Sequence, residues 1–271
     1  MVGLVDGPVD MGNAKLNTEA VQEAAVRPSA RVSGCSLPRS ISCRHGTFVA
    51  GILAARRGSR APAICPECTL LVRAIFAEAT QQLPSTTPDE LASAIVEVVE
   101  AGAKVVNLSC QLLPESRGAD SALAGALDFV ASRGAICVAA AGNDGFVGGS
   151  AMIRHPWVIP VAACDGAGRP AAGTNLGHSI GRRGLLAPGE RIHSLGPGNE
   201  EIFLDGTSAA APFVTGTAAL LWSEFPEAEA SDIWQAITQS GVARRNSVVP
   251  PLLDAWRAYQ WLNLHFGRAA A

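Results

Sequence analysis

No apolar stretch in this chain approaches the roughly 20 residues that a membrane-spanning helix needs, so the sequence offers no route across a bilayer and no membrane partner is expected. Lysine is nearly missing, with 2 residues against 19 arginines, and the cations lie scattered. No basic stripe marks a nucleic-acid surface, which argues against a nucleic-acid partner. A net charge of only -3 with 48% hydrophobic residues also excludes the charge-rich, apolar-poor composition of a disordered chain. Internal repeats and linkers are absent. The N-terminus, Met1 to Asp6, lacks a basic stretch, a long apolar core and a small-residue cleavage site. No secretory signal is therefore visible, and a cytoplasmic location is expected unless a precursor has lost one. What the 271 residues do contain is enough apolar material for one substantial core. One domain over 1–265 is expected, with a loose tail over 266–271.

Seven cysteines make an odd number, in a chain too long to depend on disulfides, and mostly reduced thiols are the default. Cys110, Cys137 and Cys164 sit in apolar runs and read as small core residues. Cys35 and Cys43 with Cys65 and Cys68 suggest a four-thiolate zinc site, but a helix over Gly46 to Arg57 would hold the two pairs roughly 18 Å apart. No metal and no cofactor is expected. A local Cys35/Cys43 disulfide, free thiols and a strained Cys65/Cys68 pair remain open.

Short β-rich runs alternate with helical patterns. Val2 to Val5, Leu70 to Phe76, Lys104 to Ser109, Ala135 to Ala140 and Trp157 to Ala162 read as strands. Gly46 to Arg57, Pro88 to Ala101, Asp120 to Arg133 and Thr207 to Phe225 read as helices. In the second of these, Leu91, Ile95, Val98 and Val99 share one face, and Pro88 with Asp89 marks its start. Such alternation implies an α/β fold with a mostly parallel central sheet covered on both faces, a three-layer α/β/α arrangement. Between Ala163 and Phe203 the pattern changes to Gly- and Pro-rich loops and small strands. Glu227 to Ser240 and Leu252 to Leu264 read as closing helices.

In parallel sheets the ligand crevice lies outside the carboxyl ends of the strands. Asp6 ends the first strand, His45 opens a helix in Arg44-His45-Gly46-Thr47, and Ser208 opens another in Gly206-Thr207-Ser208-Ala209-Ala210-Ala211-Pro212. All three therefore project from one face, where a nucleophile, a base and an orienting carboxylate can converge. Pro212 is read as a first-turn proline, which puts Ser208 at the positive end of its helix. Asn143, on the Gly-flanked turn Ala141-Gly142-Asn143-Asp144-Gly145, suits an oxyanion-hole donor. His155, His178, His193 and His265 have no such company and read as ordinary polar residues.

These four motifs, in this order and spacing, resemble subtilisin-like serine peptidases, the resemblance running from about Val2 to Phe225 with a weaker echo at Pro251 to Ala255. It implies a subtilisin-like fold, peptide-bond hydrolysis and the catalytic set Asp6, His45, Ser208 and Asn143. A peptide or protein substrate would add as a strand beside Ser109, Cys110, Gln111 and Leu112, with Ala141 and Gly142 bordering the pocket for the residue before the scissile bond. Residues 77–84 would form the opposite rim. Departures are visible. Gln111 and Leu112 stand where the family has glycines, and Gly7 replaces a hydroxyl residue that helps hold the aspartate. Lys15 follows Asn13 and Ala14 where many relatives carry an acidic calcium ligand, so no calcium is expected there. The same triad would serve transamidation in peptide-processing members similar to cyanobactin maturation proteases. A catalytically silent peptide-binding scaffold is the third reading.

Overall fold

The apolar runs assemble into one seven-stranded sheet in which every pairing is parallel, in the order β2-β3-β1-β4-β5-β6-β7. The computed structural model describes residues 1–24, 32–61, 63–79, 85–110, 120–239 and 246–267. Along the chain run β1 (Val2–Asp6), β2 (Val21–Glu23), α1 (Ile41–Ala54), β3 (Leu70–Ala74), α2 (Pro88–Glu100), β4 (Val105–Leu108), α3 (Asp120–Ser132), β5 (Ile136–Ala140) and α4 (Ala151–Arg154). There follow β6 (Val158–Cys164), α5 (His178–Arg183), β7 (Leu185–Pro188), β8 (Ile192–Leu195), β9 (Glu201–Leu204), α6 (Thr207–Glu224), α7 (Ala230–Gln239) and α8 (Ala255–Phe266). No helix among the described residues is long and apolar enough to cross a membrane.

The strands are apolar on both faces because helices cover both, and their alternation feeds two cores. Cys137 and Ala139 of β5 join a core with α2 and α3, whereas Ile136, Val138 and Ala140 join one with α6, α7 and α8. Val2 and Leu4 of β1 meet α1. This is the α/β/α sandwich expected from the alternation. Helix α2 begins where its signals lie: Thr87 accepts the Glu90 N–H, Pro88 occupies the first turn, and Asp89 and Glu90 face the positive end of the dipole. Arg73 of β3 is buried beneath it, paired to Glu97 at 2.6 Å and Glu90 at 2.8 Å, and so fixes α2 to the sheet.

Three expectations are corrected. Helix α1 starts at Ile41, five residues before the expected Gly46, because Ser40 caps it by accepting the Cys43 N–H; His45 is its fifth residue and does not open it. Pro212 is the sixth residue of α6, beyond the first turn. The segment read as loops and small strands does hold the small antiparallel β8–β9 pair, but also α5 and β7, which completes the parallel sheet through Val161↔Leu185 to Cys164↔Pro188. Pro188, the last residue of β7, and Gly189 directly after it mask so short a strand. Beyond these, β2 and the one-turn α4 carry too few residues for a period to show.

Candidate active site

Asp6 is the last residue of β1, which lies between β3 and β4, so its carboxylate emerges at the carboxyl edge of the sheet. It is fully buried. His45 reaches it from α1: Nδ1 lies 2.7 Å from Asp6 Oδ1, with 26% of the imidazole side chain exposed. Two glycines permit this approach. A Cβ on Gly7 would stand 2.1 Å from Ser42 O, and one on Gly46 would stand 2.4 Å from Gly7 O, so only bare backbone lets α1 descend onto the end of β1. The expected hydroxyl at residue 7 therefore has no room. Gly7 supports the aspartate with its own N–H, which donates to Oδ1. Among the described residues Asp6 Oδ2 has no hydrogen-bond partner. Burial disfavours charge on His45, but the Asp6 charge and hydrogen bond outweigh it and hold the imidazole above the ordinary histidine range.

The N-terminal turn of α1 is braced on both sides. Cys35 and Cys43 form a disulfide, which settles the open pairing, and the Glu78 carboxylate accepts from Ser36 N–H, Leu37 N–H and Ser40 Oγ. Cys35, Cys43 and Glu78 also form a close cluster of metal-ligating types, but the bonded sulfurs are not thiolates. Cys65 and Cys68 are free, and the Cys65 N–H donates to Leu53 O at the far end of α1. The zinc geometry is thereby excluded. Cys110, Cys137 and Cys164 are buried free thiols, as expected, and burial pushes the Cys110 thiol up to about 12.

Ser208 is the second residue of α6, which packs beside α1. Gly206, with φ at 112°, turns the chain into the helix, and a Cβ there would lie 3.0 Å from Asn143 Oδ1. Asn143 thus rests directly on the Gly206-Thr207-Ser208 turn. Its Oδ1 accepts the Thr207 N–H at 2.8 Å, while Thr207 Oγ1 accepts the Gly142 N–H at 3.1 Å. The Ala209 and Ala210 N–H groups turn back to Gly206 O. Among the described residues, the Ser208 N–H alone in this turn has no acceptor. No hydrogen bond joins His45 to Ser208, a contact that often closes only around substrate.

The remaining predicted residues divide. Ala141 is buried and its carbonyl accepts from Asn175 Nδ2, and Gly142 follows with φ at 106°. Ser109 is buried, and its hydroxyl bonds Ser208 O at 3.1 Å. Gln111, Leu112 and residues 80–84 lie outside the described residues. Three supporting groups escaped sequence reasoning. Asn107 donates to Ser109 Oγ at 2.8 Å and accepts from Thr215 Oγ1 at 2.8 Å. Asn175 accepts from Asp144 and Phe146 N–H and so holds the turn that carries Asn143. A lone amide inside the apolar run Val105-Val106-Asn107-Leu108 was the one available signal.

A buried aspartate–histidine pair at the carboxyl edge of a parallel sheet, beside a serine on a helix N-terminus, defines a serine hydrolase domain with the chain order Asp, His, Ser. Comparison with known proteins agrees. The subtilase family model matches residues 1–254, and the chain belongs to that family of serine peptidases. A thermophilic serine proteinase from a Bacillus species is 35% identical over 186 residues, covering 66% of this chain and 43% of its own. Among solved structures, patellamide maturation protease PatA is 29% identical with a TM-score of 0.81, covering 97% of this chain and 96% of its own. Prenylagaramide maturation protease PagA is 28% identical with a TM-score of 0.81, covering 96% and 93%. The chain spans about half the length of the first curated relatives it matches.

Proposed function

We propose that this chain is a serine endopeptidase in which Ser208 Oγ attacks a peptide carbonyl. His45 takes the serine proton and passes it to the leaving amine, and Asp6 fixes the Nδ1–H tautomer and stabilises the imidazolium. The Ser208 N–H and Asn143 Nδ2 receive the oxyanion. Water, activated by His45, then releases the acyl group. The substrate backbone lies along Ser109, Cys110, Gln111 and Leu112, with Ala141 and Gly142 at the pocket before the scissile bond. The observation that carries this reading is the 2.7 Å contact between buried Asp6 and partly exposed His45 at the carboxyl edge of the sheet. The likeness to PatA and PagA, both named as maturation proteases, favours trimming of a peptide precursor.

Intact mass after incubation with a fluorophosphonate tests the triad. A single adduct on the wild-type chain, lost in Ser208→Ala, is the expected result. No adduct on a folded protein would replace this reading with a silent peptide-binding scaffold. Product masses from a cleaved peptide separate hydrolysis, which adds one water across the products, from transamidation, which adds none.

A further inference from the structure

Beyond the end of α1, on the opposite end of the helix from the Ser40 cap, a cleft of about 700 Å³ is lined by Lys15, Arg56, Ser59, Arg60 and Glu201. Segments far apart in the chain build it. The Arg56 N–H donates to Lys15 O at 2.8 Å and its Nε to Leu16 O at 3.0 Å, while the Ser59 N–H closes a turn onto Arg56 O at 2.9 Å. Buried Asn13 donates through Nδ2 to Gly196 O at 2.8 Å, and the Ala14 N–H to Asn199 Oδ1 at 2.7 Å. The cations therefore stand on tied backbone.

Among the described residues Glu201 is the one acid in the lining, and it is already engaged. Lys15 Nζ lies 2.6 Å from its Oε1, and His193 Nε2 lies 3.2 Å from its Oε2. Among the described residues neither Arg56 nor Arg60 has a carboxylate within ion-pair distance. Two guanidinium groups thus face a cleft of ligand size, on a chain whose net charge is negative. A guanidinium fork matches a carboxylate bidentately. Among the described residues no aromatic side chain lines the cleft, which offers no platform there for nucleobases to stack.

We propose that this cleft is an exosite for an acidic segment of the peptide substrate, with Arg56 and Arg60 receiving its carboxylates. The inference rests on the peptidase reading and adds a substrate class to it. Arg56 follows His45 by 11 positions along and just past α1, about 16 Å at helical rise. An extended peptide covers that distance in about five residues. The favoured substrates therefore carry Glu or Asp at least about five residues from the bond that is cut.

Fluorescence anisotropy with a labelled peptide of about ten residues rich in glutamate, against its glutamine counterpart, tests the assignment. The wild-type chain and Ser208→Ala should bind the glutamate peptide about ten-fold more tightly at low salt, with the preference fading at high salt. Arg60→Gln, which leaves the Arg56 backbone ties intact, should reduce the preference, and Arg56→Gln/Arg60→Gln should abolish it. Equal binding of the two peptides by the wild type, or a preference that survives both variants, overturns the exosite. So does tighter binding of an oligothymidylate than of the glutamate peptide. The fluorophosphonate adduct, read on the same samples, keeps the two proposals apart. An adduct without acid preference removes the exosite alone, whereas acid preference without an adduct removes the peptidase reading and leaves the cleft as an acidic-peptide site but no longer a substrate exosite.

Discussion

Ser109 Oγ donates to Ser208 O at 3.1 Å, and that carbonyl is the one Pro212 leaves without a helical donor. In an α-helix the N–H of residue 212 would bond the carbonyl of residue 208, and proline has none. The hydroxyl at the end of β4 fills the gap. Asn107 and Thr215 hold that hydroxyl in turn, so a buried polar chain runs from the sheet to the backbone of the serine proposed as nucleophile.

Ser109→Ala leaves the part-buried Ser208 carbonyl without this partner, a loss of about 1 kcal/mol. The melting temperature should fall by several degrees, and the rate of fluorophosphonate labelling should drop because the Ser208 backbone is less firmly held. An unchanged melting curve would show that solvent satisfies the carbonyl.

Asn143 accepts the Thr207 N–H through Oδ1 and is the proposed oxyanion donor through Nδ2, and two substitutions separate these roles. Asn143→Ala removes both the acceptor for Thr207 and the oxyanion donor. It should lower stability by about 1 kcal/mol and kcat by about 10²–10³. Asn143→Asp keeps the acceptor and should keep the melting temperature while losing kcat at least as severely. Parallel melts and steady-state kinetics on both variants would check this.

The pH dependence follows from the Asp6–His45 pair. Because His45 is held above the ordinary histidine value, and the base must be neutral, the acid limb of kcat/KM should have its midpoint above about 6.5. Asp6→Asn should move that midpoint down and reduce kcat on the order of 10⁴. The linkage has the opposite sense for stability. A folded pKa above the unfolded one gives stabilisation that is complete below about 6.5 and is lost as pH rises through the folded value. Melting temperatures across the same buffers should show this decline in the wild type and not in Asp6→Asn.

The disulfide closes a loop between residues 8 apart immediately before His45. Cys35→Ser/Cys43→Ser should destabilise by about 2–3 kcal/mol, lowering the melting temperature by roughly 5–10 °C. Loss of the brace on the first turn of α1 should also slow fluorophosphonate labelling. Restoration of the wild-type rate by reoxidation of a reduced wild-type sample would tie the effect to the bond.

Much of this was legible in the linear chain. The five long strand runs and the order of Asp6, His45, Asn143 and Ser208 follow from local pattern, because a parallel sheet needs unbroken apolar strands and its crevice lies at one edge. The misreadings share a cause. Gly46 looked like a helix start, yet its missing side chain serves the close approach to Gly7 and Pro8, contacts made across 39 and 38 positions of chain. Pro212 looked like a first-turn marker, yet its missing donor is answered by Ser109 from another element. Asn107, Thr215 and Asn175 act only through partners far along the chain, and no local window contains them.

Strand β1 precedes the other described elements along this chain, yet it lies inside the sheet and pairs with Leu70–Ala74 and Val105–Leu108. Asp6 therefore waits for chain made much later before it has a place, and Ser208 follows all nine strands of the described residues. Folding dominated by such distant pairings is slow, and no fragment emerging during synthesis holds a complete site. In a chain threaded in this order the proposed site stays incomplete until α6 has docked.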